Sequence, residues 1–139
     1  MQSGEKGLDF GCGSGPAMKD ILEARKGVEV QNYDIFYYPD EDLLKKTYDF
    51  ITVTEVVEHF CAPQKEFELL NSLLKPKGHL GIMTTFYQPD IVFEEWWYRR
   101  DETHVCFYQR ETFEWIARWL KWSVEFPAEN VVIYSRVDR

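Results

Sequence analysis

The stretch "GLDFGCGSGP" sets Gly11, Gly13 and Gly15 at alternate positions, just after a carboxylate at Asp9. Glycines let a backbone turn tightly and approach a ligand closely, and Pro16 suits the first position of a following helix, where its missing N–H costs nothing. Loops of this kind hold several nucleotides, so spacing and neighbours must choose among them. The dinucleotide spacing G-x-G-x-x-G fails, because the third residue after Gly13 is Pro16. A carboxylate at Asp9 is unfavourable beside a pyrophosphate and suits a ligand that brings positive charge, such as an ammonium or sulfonium group. Asp34 closes the run "VEVQNYD", and an ionised carboxylate at the end of a second strand can accept hydrogen bonds from both hydroxyls of a ribose. Three glycines and two acids together call for a cationic nucleoside without phosphate.

A second constellation lies further along. "EVVEHF" supplies Glu55, Glu58 and His59, and "RRDETHVCF" supplies His104. Imidazoles take up protons near neutral pH, so His59 and His104 are the candidates for proton removal, although each also fits a satisfied structural histidine. Taken together, the two carboxylates and two imidazoles are a set suited to a divalent ion. Between Phe86 and Gln109 lies a long aperiodic segment crowded with aromatic residues, among them Trp96, Trp97, Tyr98, Phe107 and Tyr108. It reads either as a substrate-side loop or as a cover folded onto the body of the domain. Cys12, Cys61 and Cys106 are widely spaced and form no C-x-x-C pair, so neither a disulfide framework nor a zinc knuckle is signalled.

These residues need a scaffold, and the rest of the chain describes one. "GLDFG" reads as a strand and "PAMKDILEARKG" as a helix with Met18, Ile21 and Leu22 at helical spacing and a stop at Gly27. "VEVQNYDI" alternates as a strand, "FYYPDEDLLKK" gives a turn and a short helix, and "YDFITVTEV" is a β-branched strand. "PQKEFELLNSLLKPKG" is amphipathic with Phe67, Leu70, Leu73 and Leu74 on one side, and "HLGIMTTF" is a strand again. "RETFEWIARWLKW" reads as a helix with Phe113, Ile116, Ala117 and Leu120 inward, and "SVEFPAENVVIYSRV" as two strands joined at "PAEN". The result is one α/β domain over residues 1–139 with a mostly parallel sheet and an antiparallel final pair. Length and composition agree: 139 residues, 45% hydrophobic and 29% charged, make one globular domain. A formal net charge of -8 repels phosphate backbones and anionic membranes, which disfavours nucleic acid and membrane partners. Without a membrane-length apolar run, a signal-peptide pattern or paired cysteines, the expected setting is cytoplasmic.

Through "LDFGCGSG", "NYDI", "YDFITVTEVVEHF" and "LLKPKGHLGIMT" the chain resembles the class I S-adenosylmethionine-dependent methyltransferases, and within them the small-molecule methyltransferase-domain group. The resemblance implies a Rossmann-like, doubly wound sheet and S-adenosylmethionine as cofactor, a sulfonium nucleoside with no phosphate. It places Asp9, Gly11, Cys12, Gly13 and Gly15 at the methionine end and Asp34 with Ile35 at the ribose. Thr54 and Glu55 lie beside the methyl group, and His59 and His104 stand nearest the chemistry. The expected reaction moves a methyl group to an oxygen or nitrogen of a small-molecule acceptor, with no resident metal, in a monomer or homodimer. Two departures are expected: no helix ahead of the first strand, and too little chain between Asp34 and Tyr48 for the family's third strand, which would leave six strands and a bare sheet edge. "E-V-V-E-H" with the later histidine is also similar to the small-RNA 3′-terminal 2′-O-methyltransferases, in which a metal grips the terminal ribose. That gives an alternative reading as a metal-dependent RNA methyltransferase. A cofactor-binding domain without turnover is the third.

Overall fold

A computed structural model describes residues 1–137. The elements in chain order are β1 (Lys6–Phe10), α1 (Ala17–Lys26), β2 (Glu29–Tyr33), β3 (Tyr48–Thr54), α2 (Pro63–Leu73), β4 (Leu74–Met83), α3 (Arg110–Leu120), β5 (Trp122–Ala128) and β6 (Val131–Arg136). They form a six-stranded sheet in the order β2-β1-β3-β4-β6-β5. The first four strands are parallel, and β6 and β5 are antiparallel additions. Among the described residues no helix precedes β1, and one short 3-10 turn, Glu41–Lys45, is the only regular element between β2 and β3. The Rossmann-like α/β architecture and its six strands are as the sequence predicts.

Strand order reverses between β1 and β3, because β1 connects outward to β2 while β3 lies on its other side. At such a switch point the carboxyl ends of neighbouring strands splay apart and leave a crevice. The sheet is covered on both faces. Leu8, Ile51, Val53, Leu80, Val132 and Tyr134 are fully buried, and α2 and α3 contribute Phe67, Leu70, Phe113 and Ile116 to the main core. On the opposite face Phe50 packs with Val28, Val30 and Leu22. Gly7 makes this possible, since a Cβ there would lie 2.1 Å from the Phe50 ring.

Three local expectations are revised. Pro16 is the N-cap of α1, not its first helical residue, and α1 has no fully buried residue; Ile21 is exposed, while Met18 and Leu22 are half-buried. Its stop is as read, with Gly27 in the left-handed region donating its N–H to the Glu23 carbonyl. Helix α2 ends at Leu73 and β4 begins at Leu74, well before "HLGIMTTF". Pro76 explains this, because it cannot continue a helical ladder and biases the residue before it toward extended backbone. The expected bare edge is β2, and α1 covers part of it. The outward N–H of Val30 donates to Glu23 Oε1 at 2.9 Å and its carbonyl accepts from Lys19 Nζ at 2.7 Å, with Lys19 and Glu23 themselves paired at 3.2 Å. An ion pair laid along an edge strand leaves less backbone for a foreign strand to join.

Candidate active site

A cleft of about 810 Å³ opens at the carboxyl ends of β1, β2 and β3. One wall is the loop after β1. The N–H groups of Gly11 and Cys12 both donate to the Tyr33 carbonyl, at 2.8 and 3.1 Å, which pins the loop against the end of β2. Gly11 is required twice over: its φ is +80°, and a Cβ would lie 2.5 Å from Val56 Cγ2. Gly13, at φ +71°, aims its N–H at Asp34 Oδ2, 2.9 Å away. A Cβ at Gly15 would meet nothing within 4 Å, so packing within the chain does not call for glycine there.

Asp34 organises the second wall. Besides the Gly13 contact on Oδ2, its Oδ1 accepts from the N–H groups of Phe36 and Tyr37 at 2.9 and 3.2 Å. Its carboxylate therefore fixes both the glycine loop and the turn after β2, and Oδ2 keeps acceptor capacity. Asp9, 4% exposed, sits behind the loop and accepts from Thr52 Oγ1 at 2.8 Å; burial raises its pKa, partly offset by that hydrogen bond. Burial, and then the charges of Asp9 and Asp34, push the Cys12 thiol up to about 11, so it is protonated and unreactive at neutral pH.

The third wall follows β3. Glu55 adopts φ +54°, an uncommon conformation for a residue with a side chain, and is locked there by its N–H bond to the Met83 carbonyl at 2.8 Å. The turn Val57–His59 then buries Glu58 completely and leaves His59 exposed. Thr84 Oγ1 donates to Glu58 Oε2 at 3.0 Å and contacts Tyr98 Oη at 3.0 Å, and Tyr98 Oη lies 3.0 Å from Glu55 Oε2. Tyr98 donates in that last contact, so its hydroxyl ties the Glu55 carboxylate to the Thr84–Glu58 pair. Burial first, and then the neighbouring Glu58 carboxylate, raise Glu55 to about 7, while the Tyr98 hydrogen bond works the other way.

The aromatic segment from Phe86 to Gln109 is anchored to this wall. Val105 and Cys106 donate their N–H groups to the Glu58 carbonyl at 2.9 and 3.1 Å, and Tyr108 Oη donates to the Val57 carbonyl at 3.0 Å. Its rings pack mainly on one another, Tyr87, Phe93, Trp96, Tyr98 and Phe107 forming a cluster. None of its rings lines the cleft; the segment contributes Thr103 and Val105 there.

Of the residues singled out from sequence, Gly11, Gly13, Asp34, Ile35, Glu55 and His59 line the cleft. Asp9, Cys12, Thr54 and His104 stand outside the lining, in the supporting layer, and Gly15, also outside it, is exposed. His59 and His104 are brought together, their rings edge-on with centroids 4.9 Å apart. Sequence reasoning passed over Phe10, Tyr33, Phe36, Val56, Phe60, Cys61, Glu66 and Leu69, which with Thr103 and Val105 complete the lining. Phe10 and Phe36 had a usable signal, being neighbours of Gly11 and Asp34. Glu66 and Leu69 had one on α2, whose first turns face the cleft. Burial alone raises the Glu66 pKa. No Lys or Arg is among the lining residues.

The family model described as "Methyltransferase domain" matches residues 2–124. No curated protein matches the chain. Among solved structures, a chain of the complex between the Haloferax volcanii Trm112 methyltransferase activator and a methyltransferase aligns with a TM-score of 0.73 at 15% identity, covering 100% of this chain and 85% of that one. A S-adenosylmethionine-dependent methyltransferase from Archaeoglobus fulgidus aligns with a TM-score of 0.69 at 19% identity, covering 97% and 87%. A Haemonchus contortus phosphoethanolamine N-methyltransferase 2, in complex with S-adenosyl-L-methionine, gives 0.67 at 14% identity, covering 100% and 50%. The chain spans about half the length of several other matched structures. At these identities the structural likenesses speak for the fold, and the match over residues 2–124 speaks for the family. The chain belongs to the methyltransferase-domain family.

Proposed function

We propose that the chain transfers a methyl group from S-adenosylmethionine to an oxygen or nitrogen of a small-molecule acceptor, in the cytoplasm. The observation that carries this reading is the cleft itself: a glycine turn and the Asp34 carboxylate meet at the switch point of the sheet, and no cation lines the space between them. The residues present fit that cofactor. The free acceptor capacity of Asp34 Oδ2 suits ribose hydroxyls, Ile35 and Phe36 flank the place of a base, and the open space at Gly13 and Gly15 admits close approach of a ligand to the loop backbone. Glu55 stands where the methyl end would lie, with Asp9, Cys12 and Thr54 backing the loop and strand behind it.

When bound, S-adenosylmethionine supplies an electrophilic methyl on a sulfonium that leaves as a neutral thioether. The chain's own work is to align the acceptor for in-line attack, exclude water and remove a proton. His59 is placed for the last task. Its Nδ1 lies 2.8 Å from the Thr103 carbonyl, which can only accept, so Nδ1 carries a hydrogen and Nε2 is the basic atom of the neutral ring. His104 packs against it and holds the same tautomer through the Tyr98 carbonyl at 2.6 Å.

A cleft of this volume is of the size that holds a nucleoside and a small acceptor. Its acidic, cation-free lining and the chain's net charge of -8 weigh against an RNA terminus, which needs Lys and Arg to offset its phosphates. The test is to incubate the purified chain with S-adenosylmethionine labelled on its methyl group and an extract of small molecules or of RNA. Label is expected in the small-molecule fraction and absent with His59→Asn. Label confined to RNA would overturn the acceptor assignment, and no transfer despite cofactor binding would make this a binding domain.

A further inference from the structure

We propose that Glu66 is the residue by which the cleft selects adenine over 6-keto purines, its carboxylate accepting from the 6-amino group of the bound nucleoside. The inference rests on the cofactor reading above and deepens it by naming the edge of the base that the chain recognises. Three carboxylates line the cleft, those of Asp34, Glu55 and Glu66. Asp34 is engaged by the N–H groups of Gly13, Phe36 and Tyr37, and Glu55 by the Tyr98 hydroxyl. Glu66 makes no hydrogen bond or ion pair among the described residues, and burial raises its pKa with nothing to offset it. A half-buried acceptor without a donor is costly, and a donor carried in by a ligand would relieve it.

Helix α2 brings Glu66 to the cleft. Pro63 opens the helix and Glu66 stands in its first turn. Phe67, Leu70 and Leu73 carry the helix into the core, which leaves Glu66 and Leu69, one turn apart, on the flank that lines the cleft. Of the described residues between Phe36 and Glu55, none reaches the lining, so the polar group available to the edge of a base comes from α2. Phe10, Phe36, Phe60 and Leu69 share the lining with it, and apolar surroundings strengthen a hydrogen bond that a ligand makes there.

Electrostatics put Glu66 at the base end of the cleft and not at the methyl end. Ionisation of Tyr33, the last residue of β2, is opposed by burial first and then by the charges of Glu41, Glu66 and Asp34. Glu55, at the other end, responds to burial, Glu58, Tyr98 and His104, and Glu66 is not among the groups that shift it. Glu66 therefore stands on the side of Asp34 away from Glu55. With ribose at Asp34 and the methyl end at Glu55, the base extends to that side. Adenine carries an amino donor at C6, where hypoxanthine and guanine carry a carbonyl. An ionised carboxylate can only accept, so it attracts the amino group and repels the carbonyl oxygen, and discrimination comes from both.

The test is calorimetric titration of the full chain with S-adenosylhomocysteine and with its 6-keto counterpart, S-inosylhomocysteine, at about pH 8 to keep the carboxyl ionised. The wild type is expected to bind the adenine form at least about tenfold more tightly. Glu66→Gln, whose amide can accept from an amino group or donate to a carbonyl, should bring the two affinities to within about threefold and bind the inosine form more tightly than the wild type does. Asp34→Asn should weaken both analogues alike and leave their ratio unchanged. Circular dichroism checks that each variant is folded. Equal binding of the two analogues by the wild type, or an unchanged ratio in Glu66→Gln, would overturn the assignment while leaving the cofactor reading in place. Binding of neither analogue by the wild type would overturn the cofactor reading and this inference with it, so the two failures are distinguishable.

Discussion

The two ends of the parallel sheet treat carboxylates in opposite ways. At the amino ends of the strands, Asp49 of β3 accepts from the Lys6 N–H of β1 and from Lys75 Nζ of β4, both at 2.9 Å. Partial burial works to raise its pKa, but the Lys6 hydrogen bond and the Lys75 contact outweigh it and the net shift is downward. At the carboxyl ends Asp9, Glu55 and Glu66 have no such cation, and burial raises all three. One end uses a paired carboxylate to tie three strands together. The other holds unpaired carboxylates at a cost to stability, which is the pattern of a site whose missing positive charge arrives with a ligand.

Substitutions at the two ends should therefore separate binding from stability. Gly11→Ala has the largest expected effect. It puts a Cβ against Val56 on backbone at φ +80°, so it should lower stability by about 1–3 kcal/mol in urea unfolding and abolish detectable S-adenosylmethionine binding. Asp49→Asn acts at the other end and should leave cofactor binding intact. Because the folded-state pKa of Asp49 is depressed, its contribution is fully present above the unfolded value of about 4 and is lost as pH falls through the folded value. With both Asp49 and Lys75 partly exposed, the loss should be only about 1 kcal/mol at pH 7, and mutant and wild type should converge in acid. Asp9→Asn should have the smallest effect on stability and the opposite sign. A raised folded-state pKa means that ionisation of Asp9 opposes folding as pH climbs past its unfolded value, so the amide, which still accepts from Thr52, should raise Tm at pH 7 while weakening cofactor binding. A stabilising Asp49→Asn or a destabilising Asp9→Asn would break the contrast between the two ends.

Much of the glycine-loop wall of the cleft was legible in the sequence because local backbone demands wrote it. Positive φ at Gly11 and Gly13 needs glycine, and a carboxylate two residues before the loop or closing the second strand can be counted off by eye. The wall that follows β3 was less legible. His59 and His104 were nominated as residue types, but their shared orientation by the Thr103 and Tyr98 carbonyls depends on how an aperiodic segment folds, and no periodicity encodes that. Thr84 carried no signal at all; its role exists because β4 runs beside β3 and delivers it to Glu58. The aromatic residues were ambiguous for a physical reason. Rings at irregular spacing fit a binding pocket and a self-packed cover equally well, and in the fold Trp96 and Tyr98 pack inside the cluster while Thr103 and Val105 of the same segment line the cleft. Helix α1 was read correctly in extent but not in anchorage, since Ile21 sits at core spacing on a helix that instead uses Lys19 and Glu23 to hold the edge of β2.

The account depends most on the claim that this cleft takes a cationic, phosphate-free nucleoside through Asp34. Calorimetric titration of the wild type and of Asp34→Asn with S-adenosylmethionine, and with ATP as the phosphate-bearing control, tests it directly. The account predicts one S-adenosylmethionine per wild-type chain, binding at least about tenfold weaker in Asp34→Asn, and no ATP binding. Tighter binding of ATP than of S-adenosylmethionine, or S-adenosylmethionine affinity unchanged by the substitution, would contradict it.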